Sequence, residues 1–491
     1  MPDRPNVLFV YTDDQDPERV GCYGGDVPTP NIDRIAERGA RFDRFHVSTA
    51  ICAPSRYTAL TGRYASRSER LHARCPPGGP AMVTNEAGIV GEPNLARVLS
   101  AAGYTTGMVG KWHQGLAPDP AEDRGRLRYV REGDGREHET AAALAENDRT
   151  VRSVVEDCGF DEARSVYPTN PGGADAPAPG AMRHHNMEWV TRGALDFLDA
   201  HAGGDPFFLY VAPTLTHGPW GLDQLATDPR STPAGYLDAP PEVQPSRESV
   251  AERARDAGLV HGRRGHGFEV GPTTVWLDDG VGAILDRLDA LGVADETLVV
   301  FASDNGDIRG KGTCYEGGTR MPLLVRWPGH VSPGTVHDDL VSNADIAPTL
   351  FDLAGADPGY DVDGRSLRPL LEGGDYERES LYLEVFRSRA VVTADHKYVA
   401  VRHPPDVAEE IGAGARYDHR GDRLAFETGP WHADVHYPAY FDADQLYDLA
   451  ADPGEQENVA GDPAYEDIRE RLRAQLRSYS ADLPHAFGEF A

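Results

Sequence analysis

Cysteine is scarce in this sequence. Five cysteines occur among 491 residues, and no two of them form a Cys-x-x-Cys pair. Thiols this few, odd in number and widely spaced argue against a disulfide framework and against a structural zinc site. They suit a reducing compartment. The five are Cys22, Cys52, Cys75, Cys158 and Cys314.

Long apolar runs are also missing. No run reaches the roughly 18 apolar residues of a membrane span, so no transmembrane helix is predicted. The first apolar run lies within NVLFVYT (residues 6–12) and is followed by two aspartates. This indicates a buried strand rather than a signal peptide, and we expect a cytoplasmic protein with no membrane partner. No repeat occurs, which excludes solenoid folds.

Lysine is the third scarce residue. The chain has three lysines, and its 48 basic residues face 79 acidic ones, for a net charge of -31. Such a surface repels nucleic acid and anionic membranes, so nucleic acid is not expected as a partner. Two explanations stay open. One is adaptation to high salt, and the other is a GC-rich genome in which arginine codons displace lysine codons.

Short apolar runs that end in polar or turn residues alternate with helical patterns along most of the chain. This alternation is typical of an α/β protein with a large, mostly parallel (mixed) sheet sandwiched by helices. The predicted strands are 6–12, 105–110, 206–213, 297–303 and 322–327, and the predicted helices are 29–39, 92–103, 273–292 and 342–355.

The pattern changes in the last quarter of the chain. Segments 380–386 and 389–402 alternate like antiparallel strands, and 466–483 has the pattern of an amphipathic terminal helix. We therefore predict a large α/β domain over residues 1–372 and a smaller C-terminal α+β domain over 373–491.

Two regions fit neither pattern. Residues 115–190 and 221–270 are rich in polar residues, glycine and proline. We predict them as long insertions over the sheet edge, where loops often build the substrate pocket.

Polar residues follow the predicted strands, at the edge where open α/β sheets bind ligands. A lone histidine is more often structural than catalytic, and acidic pairs are common here; Asp278-Asp279 and Asp338-Asp339 are expected to be solvated. Lysine is more telling, because a chain that prefers arginine keeps lysine where a compact ammonium is needed. The strand-end residues are Asp13, Asp14, Lys111, His113, His217, Asp304, Asn305 and Lys311.

Together these residues suit a cation and an anion. Four hard oxygen ligands from two strand ends favour Ca²⁺ or Mg²⁺ over zinc. Three positive groups beside them would attract a tetrahedral oxyanion. The oxygen ligands are Asp13, Asp14, Asp304 and Asn305, and the positive groups are Lys111, Lys311 and Arg56.

Cys52 begins a predicted helix in CAPSRYTALTGR (52–63). The N-terminus of a helix favours anions, so the thiol would lie at an anion site. A buried apolar cysteine and a thiolate nucleophile both remain open.

These segments resemble a known family. CAPSR followed by LTGR looks like the signature of type I sulfatases, the formylglycine-dependent arylsulfatase family of the alkaline-phosphatase superfamily. The similarity continues in order over nearly the whole chain. It includes PNVLFVYTDDQ, TPNIDRIAERGARF, GKWH, HGPW, SDNGD, GKGTCYEGGTRMPLLVRWPG and QLYDLAADPGEQENVA.

The resemblance implies that Cys52 is a precursor. A formylglycine-generating enzyme would oxidise it to Cα-formylglycine, with Pro54 and Arg56 in the recognition motif. The hydrated aldehyde carries two hydroxyls: one would attack sulfur, and the other would expel sulfate. The modified Cys52 would also join the metal ligands, which the resemblance assigns to Asp13, Asp14, Asp304 and Asn305, with Ca²⁺ as the expected ion and Mg²⁺ as the alternative.

The resemblance also implies catalytic roles. Arg56 would stabilise the formylglycine oxyanion, and Lys111 and Lys311 would hold sulfate oxygens. His217, with Lys311, would protonate the leaving oxygen. His113 would deprotonate the second hydroxyl, and Asp304 would serve as base for the first.

The expected activity is hydrolysis of a sulfate ester in a small anionic substrate, such as a sulfated carbohydrate. One alternative is a phosphonate monoester hydrolase or phosphodiesterase that uses the same groups. Another is a non-catalytic sulfoglycan-binding protein in which Cys52 stays a thiol. One residue departs from the family pattern: Gln114 follows GKWH where an apolar residue is common.

Overall fold

The computed structural model describes most of the chain. The described residues are 4–123, 125–133, 135–173, 176–259, 270–307, 309–425 and 432–490. Residues 260–269, which belong to the predicted insertion at 221–270, therefore lie outside the described residues.

An eight-stranded sheet forms the centre of the large domain. Its strands are β1 (Asn6–Thr12), β2 (Ala40–Phe42), β3 (Thr105–Lys111), β4 (Glu162–Tyr167), β5 (Phe207–Ala212), β6 (Thr297–Ser303), β7 (Leu323–Arg326) and β8 (Thr335–His337). They lie in the spatial order β8-β2-β7-β6-β1-β5-β3-β4. Within the described sheet only β7 runs antiparallel to its neighbours. The prediction of a large, mostly parallel sheet is confirmed.

Helices cover both faces of this sheet. Side chains alternate along a strand, so Val7 and Phe9 of β1 pack into one core and Leu8 and Val10 into the other. The helices of more than one turn are α1 (Pro30–Glu37), α2 (Cys52–Thr61), α3 (Leu95–Ala101), α4 (His138–Asp157), α5 (Met187–His201), α6 (Arg247–Asp256), α7 (Gly271–Ala290), α8 (Ile346–Ala354), α9 (Pro405–Gly412) and α10 (Glu466–Ala481).

Several shorter elements connect these. One-turn helices lie at Glu69–His72, Leu222–Leu225, Glu316–Thr319 and Arg368–Leu371. Two-residue strands pair as Phe45–His46 with Val341–Ser342 and as Ser231–Thr232 with Gly235–Tyr236. No described helix combines the length and the apolar character that a bilayer crossing requires.

A separate antiparallel sheet follows in the C-terminal part. Its strands are β9 (Leu381–Val385), β10 (Ser388–Val392), β11 (His396–Val401) and β12 (Asp444–Asp448), in that spatial order. Helix α10 covers one face, with Leu472 and Leu476 in the shared core. The predicted α+β character is confirmed. The boundary between residues 372 and 373 stays a prediction.

Two regular elements occupy the region predicted as an insertion. Helix α4 and strand β4 lie within 115–190, and β4 extends the main sheet next to β3. The sequence of β4, EARSVY, is only partly buried because the strand forms the sheet edge. An edge strand does not need a continuous apolar run, so the pattern of buried strands could not reveal it.

The prediction that Asp278 and Asp279 are solvated is wrong. Both are buried in helix α7. Asp278 accepts the backbone N–H groups of Asn31 at 3.0 Å and Ile32 at 2.8 Å, in the first turn of α1. It thereby satisfies donors at a helix N-terminus that a local side chain does not cap. Asp279 pairs with Arg253.

Candidate active site

Three carboxylates, from Asp13, Asp14 and Asp304, meet at the carboxyl ends of parallel strands β1 and β6. The last residues of these strands are paired in register, so Asp13 and Asp304 directly follow at the same edge. The backbone N–H of Asp14 donates to Oδ1 of Asp304 at 3.3 Å. One oxygen of each of these carboxylates and Sγ of Cys52 lie within 4.8 Å of one another. The fold thus gathers four potential ligand atoms in one buried place.

Cys52 is the first residue of helix α2 and points into this cluster. Its thiol is buried and donates to Oδ1 of Asp13 at 3.3 Å. Burial, reinforced by the charge of Asp13, raises the pKa of the Cys52 thiol to about 12. The thiol is therefore protonated at neutral pH, which argues against the interpretation of Cys52 as a thiolate nucleophile.

Each of the three carboxylates has a cationic partner, and the formal charges cancel. A divalent cation and a dianion could therefore enter together without leaving net charge in a buried space. The pairs are Lys111 Nζ with Asp13 at 2.5 Å, Lys311 Nζ with Asp14 at 2.6 Å and Arg56 Nη2 with Asp304 at 2.8 Å.

The two inner carboxylates differ in proton affinity. Burial acts to raise the pKa of Asp13, but Lys111 and other cationic groups outweigh it and hold that pKa well below its usual range. Burial and the charge of Asp13 raise the pKa of Asp304 to about 7, against the effect of Arg56. Without a bound cation, Asp13 is thus ionised while Asp304 can take up a proton near neutrality.

Both site histidines are neutral. Burial, followed by the charge of Lys311, lowers the pKa of His217 to about 3. Nδ1 of His217 donates to the Gly218 carbonyl at 2.8 Å, and its Nε2 lies 3.8 Å from Oδ2 of Asp14. Burial and Lys111 lower the pKa of His113 well below its usual range. A neutral imidazole keeps one nitrogen free to accept a proton.

Two site residues have a left-handed backbone. Asp14 has φ 56° and His113 has φ 48°. Residues other than glycine rarely adopt this region, and such strain concentrates at functional sites. The surrounding contacts hold both residues in place despite a cost of about 1 kcal/mol or more each.

Comparison with known proteins identifies the family. The Sulfatase family profile matches residues 5–356. The chain is 31% identical to human arylsulfatase A, over 99% of this chain and 89% of the relative. The chain belongs to the sulfatase family. It is a sulfuric ester hydrolase of the type I sulfatases, in the alkaline-phosphatase superfamily.

Other relatives and solved structures agree with this sulfatase's fold. An N-acetylglucosamine-6-O-sulfatase of Bacteroides thetaiotaomicron is 26% identical, over 96% of this chain and 86% of the relative. A structure from a study of glycosaminoglycan metabolism in that species has a TM-score of 0.65 at 22% identity, covering 98% and 100% of the two chains. A phosphonate monoester hydrolase of Agrobacterium radiobacter has a TM-score of 0.61 at 22% identity, covering 97% and 96%.

The donors in this sulfatase fit a hard divalent cation. Three carboxylates converge, and beside them Asn305 donates its Nδ2–H to Asp14 and to the Gly306 carbonyl at 3.0 Å. Its Oδ1 is buried without a hydrogen-bond partner among the described residues. Oxygen-rich donor sets of this kind suit Ca²⁺ and Mg²⁺. The family as a whole uses a metal ion and formylglycine.

The sulfatase fold also brings in residues that the sequence did not reveal. Asn85 Oδ1 accepts the backbone N–H of Ala53 at 3.0 Å, and its Nδ2 lies 3.5 Å from Nε2 of His113. Gln114, the departure from the family pattern, is buried and donates to the Ala53 carbonyl at 2.9 Å. Both amides tie the start of α2 to the loop after β3. The two bonds to Ala53 are contacts to backbone atoms, for which no sequence motif exists.

Tyr210 is a further residue without a sequence signal. Tyr210 lies in the middle of strand β5, and its hydroxyl accepts a hydrogen bond from Nη1 of Arg56 at 3.2 Å. In the sequence it lies within an apolar run, PFFLYVAP, and so resembled a core residue. Only the parallel packing of β5 against β1 reveals that it supports the Arg56 guanidinium.

Proposed function

We propose that this sulfatase hydrolyses the sulfate ester of a small anionic substrate, such as a sulfated carbohydrate, with formylglycine derived from Cys52. The main support is the convergence of Cys52, three carboxylates and three cations at one sheet edge. Relatives named for sulfated amino sugars add to it.

The modification would supply a geminal diol, of which one hydroxyl attacks sulfur and the other expels sulfate. The residues around Cys52 suit these proton movements. Asp304 would take the proton of the attacking hydroxyl. Arg56, which pairs with Asp304, would stabilise the oxyanion on the formylglycine carbon. His113 would take the proton of the second hydroxyl.

The cation would be held by Asp13, Asp14, Asp304 and Asn305 together with the modified Cys52. Ca²⁺ is the proposed ion, with Mg²⁺ as the alternative. When bound, it would act as a Lewis acid on a sulfate oxygen.

Lysines and one histidine would complete the site. In this structure Lys111 pairs with Asp13 and Lys311 pairs with Asp14. When those carboxylates bind the cation, the two ammonium groups would be able to bind sulfate oxygens. His217 Nε2 and Lys311 Nζ both face Asp14, so the two groups can act on the same leaving oxygen. We assign the protonation of that oxygen to Lys311 with His217; Lys311 carries the proton in this structure, and His217 Nε2 would first have to gain one.

Two measurements on the full chain test this proposal. The mass of the peptide that contains residue 52 should be lower by about 18 Da than the thiol form, the difference between a thiol carbon and an aldehyde. That protein should release inorganic sulfate from 4-nitrophenyl sulfate. A protein with an intact Cys52 thiol that binds sulfated glycans without turnover would support the non-catalytic alternative instead.

Comparison of phosphorus and sulfur substrates addresses the other alternative. The proposal expects a higher kcat/KM on 4-nitrophenyl sulfate than on an aryl phosphonate monoester or an aryl phosphate diester. The reverse order would favour a phosphonate monoester hydrolase or phosphodiesterase. The likeness to such a hydrolase, at 22% identity, concerns the fold alone.

A further inference from the structure

A small cavity opens beside Lys311, between the two domains. We call it the Lys311 pocket. Its volume is about 180 Å³, enough for a small ligand such as one sugar ring. Its lining includes Lys311, Phe386, Asp418, His419, His432 and Tyr440.

The loop that carries Lys311 lies directly on the C-terminal domain. Gly312 has φ 77°, and a Cβ there would lie 2.9 Å from the Phe386 ring. Any other residue at position 312 would therefore be strained and would push against that ring. On the Phe386 ring, the Arg420 guanidinium lies 4.9 Å from the centroid. The C-terminal domain thus packs against the loop that carries Lys311, and residues of both line the same pocket.

One wall of the pocket has used its hydrogen-bonding groups. The His419 ring bonds to Ser388 Oγ at 2.8 Å and to the Tyr440 carbonyl at 3.0 Å. It also stacks on the Tyr440 ring at 4.2 Å. This wall offers an aromatic surface whose ring nitrogens are already hydrogen-bonded.

The pocket also has acceptor atoms that no hydrogen bond among the described residues occupies. Oδ1 of Asp418 accepts the backbone N–H groups of Arg420 and Asp422, each at 2.9 Å. Its Oδ2 has Arg420 Nε at 3.8 Å, beyond hydrogen-bond distance. Nδ1 of His432 donates to Oδ1 of Asp434 at 2.7 Å, which leaves Nε2 as an acceptor, and burial lowers the pKa of His432.

We propose that the Lys311 pocket binds the sugar ring that carries the sulfate, with Asp418 and His432 accepting hydrogen bonds from two ring hydroxyls. This inference rests on the proposed function. Two acceptors facing one cavity match a pair of hydroxyl donors, whereas an aryl or steroid ring would leave both acceptors desolvated and unpaired. Arg420, whose side chain is 58% exposed at the rim, would contact a further acidic or polar substituent.

The test compares substrates in the modified, full-length enzyme. The probes are the 6-sulfates of glucose, galactose, N-acetylglucosamine and N-acetylgalactosamine, with 4-nitrophenyl sulfate as the reference. In Asp418→Asn the amide oxygen still accepts the two backbone N–H groups, so the turn is kept while the charge is lost. The ratio of kcat/KM for the best sugar sulfate to that for the reference should fall at least about tenfold, the loss of one charge-assisted hydrogen bond.

A matched control and a second variant secure the interpretation. Asp422→Asn removes the same charge from an exposed neighbour outside the pocket and should keep the ratio within about twofold. His432→Gln should lower the ratio as Asp418→Asn does, mainly through KM. An unchanged ratio in both pocket variants, or equal losses on sugar and aryl substrates, would overturn the pocket assignment. If the unaltered enzyme released sulfate from none of the probes, the proposed function itself would fail.

Discussion

Cys52 is the residue on which the chemistry depends. The thiol is buried, protonated and hydrogen-bonded to Asp13, so the unmodified side chain is a poor nucleophile. If Cys52 is the precursor of formylglycine, a serine in its place would have one hydroxyl that can attack sulfur, but it would lack the second hydroxyl that expels sulfate. Cys52→Ser should therefore accept one sulfate per chain and then stop.

The measurement for Cys52→Ser is a time course of alcohol and sulfate release, with Cys52→Ala as control. We expect sustained turnover to fall by about a thousandfold or more in both variants. Only the serine variant should retain a covalent sulfate, visible by mass spectrometry. Sustained turnover in the serine variant would contradict the role assigned to residue 52.

Lys311 and His217 have a role that depends on the leaving group. The leaving group of an aryl sulfate is a phenolate, which departs without a proton because the phenol has a low pKa. The leaving oxygen of a sugar sulfate belongs to an alcohol of high pKa and needs a proton. Lys311→Ala should therefore lower kcat on a sugar sulfate by about 10² or more, beyond its effect on 4-nitrophenyl sulfate. Lys111→Ala is the matched control. It removes an ammonium that is assigned only to sulfate binding and leaves the proposed proton donor Lys311 in place, so it should affect both substrates alike. Equal losses in the two variants would remove the general-acid assignment.

The residues of the candidate active site differ in how far the sequence alone predicts their role. Asp13, Asp14 and Asp304 follow apolar runs, so strand ends alone place them at one edge. Cys52 needs the family signature, because its position at a helix start has several meanings. Asn85 acts through a backbone N–H and through His113, and nothing in its local sequence signals either contact.

At the scale of elements, buried strands were the most predictable. The limits of β1 and β6 agree with the predicted 6–12 and 297–303, because fully buried strands need unbroken apolar runs. Strand β4 was missed because one side of it faces solvent. Asp278 was misjudged because its partner, the N-terminus of α1, lies far away in sequence.

The contact between α7 and α1 has a predictable pH dependence. Burial raises the pKa of Asp278 from an ordinary value of 3.8 to about 7. A raised pKa means that its contribution to stability is present below about pH 4 and is lost as the pH rises toward 7. The free energy of unfolding of the unaltered protein should fall relative to Asp278→Asn by about 1.4 kcal/mol per pH unit in that window. Parallel curves from urea titrations at pH 4 to 7 would contradict this.

A buried ion cluster joins the one-turn helix Glu316–Thr319 to the C-terminal sheet. Lys397 Nζ lies 2.6 Å from Glu316 and 2.9 Å from Glu455, and all three groups are largely buried. Lys397→Met would leave the buried Glu455 without its cationic partner, while Glu316 would keep Arg320 at 3.1 Å. We expect it to destabilise the protein by about 3–5 kcal/mol.

Urea unfolding measures this effect, and a compensated variant provides the control. Lys397→Met combined with Glu316→Gln and Glu455→Gln removes the uncompensated charges and should recover part of the lost stability. If the triple variant is no more stable than Lys397→Met, the charge explanation is wrong and lost packing would account for the effect.

At the scale of the whole molecule, the net charge of -31 dominates. Like charges repel one another more in the compact state, and the Debye length falls from about 10 Å at 0.1 M salt to about 3 Å at 1 M. The free energy of unfolding should therefore rise between 0.1 and 1 M KCl. Equal stability at both concentrations would contradict this and would also remove the high-salt interpretation of the composition.

The order of motifs made the two-part architecture predictable, apart from elements such as α4 and the edge strand β4. The mutual approach of the two domains was not, because it depends on contacts such as Gly312 against Phe386. The Lys311 pocket is a product of that approach. The sequence could therefore indicate the sulfate chemistry, while the proposed sugar contacts appear only in three dimensions.

The central claim is best tested by one correlation. Preparations of the full chain with different fractions of residue 52 converted to formylglycine, quantified by peptide mass, are assayed for initial rates of sulfate release. The rate should be proportional to the converted fraction and should extrapolate to zero for the thiol form. Turnover by fully unconverted protein, or its absence at full conversion, would contradict the account.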